Sequence, residues 1–286
     1  MKNAVLGSQD HRSYVGKEAY YDIASALQFN LLTVLGLREH HYLLDIGCGA
    51  LRAGRLFIPY LHPGRYFGVE PERWLVEKGI DQDLGQSIID IKRPTFLHTD
   101  QFEFGKFDRT FDFLIAQSIF SHTSQAQLRT CLREAKNVMT PTSIFAATFF
   151  EGLSDYTGNR FVTHAGYRMA TIRSLVEEQG LIMRPIEWDH QDLQRWILIL
   201  HKDAQIPPLP QVCDPVQSIY IQNELDRARQ QLLDLRYHPY VRFGLTIKRS
   251  LTWLMFAVRR LRRTVLGRQS GIPRRSELRR PHTPQQ

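Results

Sequence analysis

Three features of this 286-residue sequence predict an α/β fold, a mainly parallel sheet with helices on both faces. Short apolar runs of buried-strand type alternate with segments of helical spacing as far as residue 202. One run, Leu43-Leu44-Asp45-Ile46, leads straight into Gly47-Cys48-Gly49 and a helix-compatible stretch. A second, Arg65–Glu70, ends on an acid 25 residues after Asp45.

Each element follows in order. Residues 1–13 are polar and expected to be a loose lead-in. From Lys17 to Leu37, Ala19, Ile23, Ala26, Leu27, Leu31, Val34 and Leu35 recur at near-helical spacing, with Gly36 marking the stop. The first strand and its glycines come next, then a helix over Leu51–Leu61. Pro63-Gly64 turns into the second strand, and Pro71–Gly79 reads as a helix with Pro71 in its first turn. Thr95–Thr99 is a short third strand ending at Asp100. Phe111–Ser118 is a buried fourth strand, followed by a helix from Ile119 to about Met139 with Thr123 or Ser124 as N-cap. Pro141 is expected to break the chain before a fifth strand, Ser143–Phe150. Residues 151–169 read as a loop and Ala170–Gln179 as a helix ended by Gly180. Leu181–Trp188 and Arg195–Lys202 form a strand pair, which makes seven strands and closes a domain over residues 1–203.

Composition excludes several classes. With 43% hydrophobic and 23% charged residues the chain is globular, and its length allows one large domain with appendages. Cys48, Cys131 and Cys213 lie far apart, odd in number and without a Cys-x-x-Cys, which disfavours a disulfide framework or zinc site and indicates a reducing compartment. The apolar run near the N-terminus is too short for a signal peptide, and no apolar stretch reaches the length of a membrane span. The net charge of +8 belongs to the tail: residues 242–286 hold 12 Lys or Arg against Glu277 alone, leaving the remainder at −3. A nucleic-acid groove on the first domain is therefore not expected.

Two ligand classes suit the glycine turn. A dinucleotide favours a third glycine where Arg52 stands, and a phosphate is poorly served by Asp45 just ahead of Gly47. An acid there suits a ligand carrying positive charge. Leu-Asp-Ile-Gly-Cys-Gly, residues 44–49, resembles motif I of the class I S-adenosylmethionine-dependent methyltransferases, and the likeness runs from about Tyr14 to about Lys202. The resemblance implies a Rossmann-like seven-stranded methyltransferase sheet and S-adenosyl-L-methionine as cofactor. It puts Asp45, Gly47, Cys48 and Gly49 at the cofactor, with Glu70 on the ribose hydroxyls and Asp100 near the adenine amino group. Glu70 gains its role independently, because an acid ending the second strand accepts ribose hydroxyls in nucleotide-binding α/β folds. Arg52 can reach the methionyl carboxylate or pack its stem on its neighbours. Tyr14, Tyr20 and Tyr21 stand either to cover the ligand or to pack.

Gln117 to His122 follow the fourth strand, on the edge of the sheet where ligands bind. Methyl transfer to a hydroxyl or protonated amine needs a base, and His122 is the candidate, with a structural histidine as the other reading. His164 and Glu151 are weaker candidates. The histidines show no metal-binding arrangement. The expected acceptor is a small molecule or a glycan or lipid intermediate. The alternative is a non-catalytic S-adenosylmethionine-binding or interaction protein anchored by its C-terminus; an NAD-dependent oxidoreductase is disfavoured by Asp45 and Arg52.

Beyond a Pro-rich linker, 204–218, a helical basic extension is expected over 219–266 and a disordered tail over 267–286. Ile221, Leu225, Ala228, Leu232 and Leu235 make one apolar seam, and Ile247, Leu251, Leu254, Val258, Leu261 and Val265 another. The basic second helix suits either an anionic membrane surface or a helix-mediated dimer. The expected location is cytoplasmic, including the inner face of the membrane.

Overall fold

The computed structural model of the protein describes residues 10–159, 162, 164–204 and 230. The chain divides into two compact units, Met1–Ser218 and Ile219–Gln286, and every element below lies in the first. The linker apart from Ala204, the extension over 219–266 apart from Gln230, and the tail lie outside the described residues. Among the described residues no helix is long and apolar enough to cross a membrane.

Eight strands form the sheet: β1 (Leu43–Ile46), β2 (Tyr66–Val69), β3 (Thr95–Leu97), β4 (Phe111–Ala116), β5 (Met139–Glu151), β6 (Gly166–Tyr167), β7 (Leu181–Ile186) and β8 (Arg195–His201). Their order is β3-β2-β1-β4-β5-β8-β7, with β6 a short parallel partner of β5. Strands β1 to β5 run parallel to one another, and β8 runs antiparallel to both β5 and β7. Direction along the sheet reverses between β1 and β4, so their carboxyl ends diverge into a crevice.

Side chains alternate between two apolar layers, which is why the central strands read as unbroken apolar runs. Leu44, Ile46, Leu114, Phe145 and Ile197 join one layer, beneath helices α6 (Gln125–Asn137) and α7 (Met169–Glu177). Leu43, Phe113, Ile115, Ala146 and Leu198 join the other, beneath α2 (Tyr21–Val34) and α3 (Gly54–Tyr60). Asp45 shares the parity of this second set, so a carboxyl group is folded into an apolar layer.

Several boundaries differ from the sequence expectation. Part of the expected loose lead-in is regular structure: the Asp10 side chain caps a one-turn helix, α1 (His11–Tyr14), and His11 is buried. The helix expected from Lys17 divides into a 3-10 turn, Glu18–Tyr20, and α2. The sixth helix starts later than Ile119. Ser124 takes the Gln127 N–H while Gln127 Oε1 takes the Ser124 N–H, which fixes the first turn at Gln125. Pro141 does not break β5. Phe111 pairs with Met139 but Phe113 with Ile144, so Pro141 lies in an exposed bulge where no ladder N–H is required. Strand β6 makes eight strands rather than seven. Residues 73–92, of which the sequence marked only the first part, form α4 (Arg73–Gly79), a π-turn at Ile80–Leu84 and α5 (Gln86–Lys92).

Candidate active site

The turn after β1 is fastened to β2. Gly47 and Cys48 donate their N–H groups to the Val69 carbonyl at 2.8 and 3.1 Å. Gly47 and Gly49 are left-handed, with φ of +71° and +53°, a conformation glycine adopts without strain. Space is also tight: a Cβ on Gly47 would run into Ile119, which follows β4, and one on Gly49 would lie 2.8 Å from Val15 Cγ1. The Cys48 thiol is buried, close to where a Gly68 side chain would stand, so this residue offers the site no side chain.

Glu70 follows β2 at once. Its Oε2 accepts the Gly49 N–H at 3.0 Å and its Oε1 the Glu72 N–H at 3.0 Å. Each oxygen keeps a second lone pair for a ligand hydroxyl. Burial pushes this carboxyl above its ordinary range, against the pull of those two N–H groups. Behind the turn, Asp45 Oδ2 accepts the Tyr66 hydroxyl at 2.7 Å. Burial raises Asp45 to about 6, while the Tyr66 bond and the Arg52 charge pull the other way.

The N-terminal segment lies over this turn. Arg52 Nη1 donates to the Val15 carbonyl at 2.8 Å. Asp83, from the π-turn, accepts His11 Nε2 and the Tyr21 hydroxyl at 3.0 Å each and pairs with Arg12. Tyr14 sets its ring edgewise on Trp74, 5.1 Å between centroids, and Lys17 holds its ammonium over Tyr20. Tyr14 and Tyr21 are therefore used to fasten the segment.

Beyond β4, Gln117 is buried and its Nε2 lies 3.0 Å from His190 Nε2. Gln117 Oε1 is buried with no donor among the described residues. Ser118 is left-handed (φ +59°) and held by two side chains. Thr148 Oγ1 accepts its N–H at 2.7 Å, and Gln194 Nε2 donates to its hydroxyl at 2.9 Å. Gln194 Oε1 in turn accepts from Thr148 at 2.8 Å. Burial, aided by the charge of Arg52, lowers His190 to about 3 and keeps it neutral.

His122 is half-buried and bonded through Nδ1 to the Val162 carbonyl at 2.9 Å. A carbonyl only accepts, so Nδ1 carries the proton of this bond. The Val162 N–H returns to the His122 carbonyl at 2.9 Å, and Ala165 N–H to that of Ser121 at 2.7 Å. His164 stacks on Phe150, and Glu151 pairs with Arg195. Asp100 is exposed, its carboxylate accepting from Gln101.

The structure thus gathers Asp45, Gly47, Cys48, Gly49, Arg52 and Glu70 around one turn, places Gln117 and His122 after the neighbouring β4, and leaves Asp100 at the rim. Sequence reasoning missed His190, Gln194 and Asp83. No local spacing signals them, since each bonds its side-chain partners across 62 to 76 residues, except for the Gln194–Thr148 bond at 46.

Residues 44–145 match the sequence profile of a family described as a methyltransferase domain. No curated protein matches the chain. Among solved structures it is similar to the magnesium protoporphyrin IX methyltransferase of Synechocystis with bound S-adenosylmethionine, at 15% identity and a TM-score of 0.48, covering 65% of this chain and 86% of that one. DesVI of Streptomyces venezuelae gives 13%, 0.49, 66% and 94% for the same quantities. An S-adenosylmethionine-dependent methyltransferase of Clostridium acetobutylicum gives 10%, 0.47, 63% and 92%.

Proposed function

We infer, for a chain that carries a class I S-adenosylmethionine-dependent methyltransferase domain, that residues 1–203 methylate a small molecule or a glycan or lipid intermediate. The observation that carries this is Glu70: from the end of β2 it closes on the Gly49 N–H at 3.0 Å in the turn after β1, the strand that borders the crevice, with acceptor positions left over. The residues present fit the cofactor, because Gly47, Cys48 and Gly49 raise no side chain of their own toward it and the buried Gln117 amide has an atom without a partner among the described residues.

Glu70 takes the ribose hydroxyls, and Gly47, Cys48 and Gly49 bring backbone close to the nucleoside. Asp100 sits at the adenine end. Asp45 supplies negative charge behind the turn, facing the amino-acid portion with Arg52 and Gln117. When bound, the cofactor supplies an electrophilic methyl group on a sulfonium. The remaining work of the chain is to hold a nucleophile in line and to take its proton. His122 Nε2 takes that proton, because the Val162 carbonyl keeps the ring's own proton on Nδ1.

The basic extension over 219–266 brings the enzyme to an anionic surface at the inner face of the membrane or pairs two copies, with nucleic acid disfavoured by the −3 charge of residues 1–241. Liposome flotation separates these: full-length protein floats with anionic vesicles and a 1–205 fragment does not. Equal behaviour of the two excludes the membrane.

Calorimetry with S-adenosylhomocysteine, followed by transfer of labelled methyl groups into a metabolite and lipid extract, tests the activity. Binding without transfer favours a non-catalytic binding protein. Tighter binding of NAD overturns the cofactor assignment.

A further inference from the structure

His190 and Gln117 present a contradiction that the chemistry resolves. The Asp192 N–H donates to His190 Nδ1 at 3.1 Å, so Nδ1 is the unprotonated nitrogen. The ring is buried and neutral, so its single proton sits on Nε2. A protonated Nε2 needs an acceptor at 3.0 Å, and an amide NH2 is not one. The oxygen and nitrogen of a glutamine amide are interchangeable by a half-turn. Turned this way, Gln117 Oε1 accepts from His190. The orphaned acceptor disappears, and the NH2 group takes its place beyond β4.

Arg52 stands on the same side. Its charge is felt by both His190 and Asp45, and its guanidinium makes one hydrogen bond among the described residues, to Val15. Four of its five N–H groups remain to donate. We propose that His190 is a positioning residue that turns the Gln117 amide so that its NH2, together with Arg52, holds the carboxylate at the amino-acid end of the cofactor. The inference rests on the cofactor reading above and adds a loop between β7 and β8 to the site.

Two ligands separate this inference from its premise. S-adenosylhomocysteine carries the carboxylate, whereas 5′-methylthioadenosine keeps the nucleoside and thioether but lacks the amino acid. Wild-type protein that binds neither overturns both the premise and the inference. Gln117→Glu is the discriminating variant, because the new carboxylate still accepts from His190 Nε2 but turns negative charge toward the ligand. Calorimetry should show its affinity for S-adenosylhomocysteine falling about tenfold or more, with methylthioadenosine nearly unchanged. His190→Phe frees the amide and should produce a smaller loss with the same selectivity, partly restored in His190→Gln. Thermal melting of each variant establishes folding, and Gln117→Leu, which adds no charge, covers a misfolded Gln117→Glu by losing the same ligand preference. Equal losses for both ligands, or none, overturn the proposal.

Discussion

The Tyr66 hydroxyl donates to Asp45 Oδ2 at 2.7 Å behind the glycine turn, binding the ends of two parallel neighbours through a buried carboxyl. Asp45 is raised to about 6 from an ordinary 3.8, mainly by burial. Between those values the folded chain keeps a proton that the unfolded chain has lost, so stability falls as pH rises through the window. The ionised group therefore costs at most about 3 kcal/mol at neutral pH. Asp45→Asn, whose amide oxygen still accepts from Tyr66, should raise the Tm at pH 8 by a few degrees. It should also weaken cationic S-adenosylmethionine, measured by calorimetry. A lower Tm at pH 8 refutes this account.

His190 works in the opposite sense. Its folded pKa of about 3 lies below the ordinary 6.5, mainly through burial. Its stabilisation is full above pH 6.5 and is lost as pH falls toward 3, by at most about 1.4 kcal/mol per unit. His190→Gln should flatten the decline of Tm between pH 6.5 and 4.5. An unchanged slope would assign the acid sensitivity elsewhere.

Gly47 faces two obstacles to substitution, its φ of +71° and the Ile119 side chain. Gly47→Ala should destabilise the protein by about 2 kcal/mol in urea titration. Ile119→Ala in the same background should recover the steric part and not the backbone strain. Full recovery would show that φ carries no cost here.

Asp83 holds the N-terminal segment through His11, Arg12 and Tyr21, and these bonds keep its carboxyl below the ordinary range although burial opposes them. Asp83→Ala should expose residues 10–17 to limited proteolysis and lower stability by about 2 kcal/mol. Asp83→Asn should fall between this and wild type. Protease resistance equal to wild type would mean that the Arg52–Val15 bond and the Tyr14–Trp74 contact suffice.

Much of this was legible because it is local. Asp45, Gly47, Gly49 and Glu70 announce themselves through strand-length apolar runs that end in turn and acid residues, and the antiparallel β7–β8 pair through two such runs in succession. Pro141 misled because proline normally ends a strand, and only the pairing of β5 with β4 reveals the bulge that accommodates it. The Gln117–His190 and Asp83 clusters were invisible for a different reason. Their members are single polar residues in separate segments, brought together by the sheet and by the folded-back N-terminal segment, and a lone histidine or aspartate carries no periodicity.

The last strand has a consequence for synthesis. β8 inserts between β5 and β7, so an apolar edge of β5 waits unpaired until residues 195–201 leave the ribosome. A nascent chain halted after Gly180 would carry the glycine turn, Glu70 and His122, yet lack His190 and expose Ile144–Phe149 to any passing strand. Completion of the sheet and the arrival of His190 beside Gln117 thus come together, once residues 190–201 have emerged.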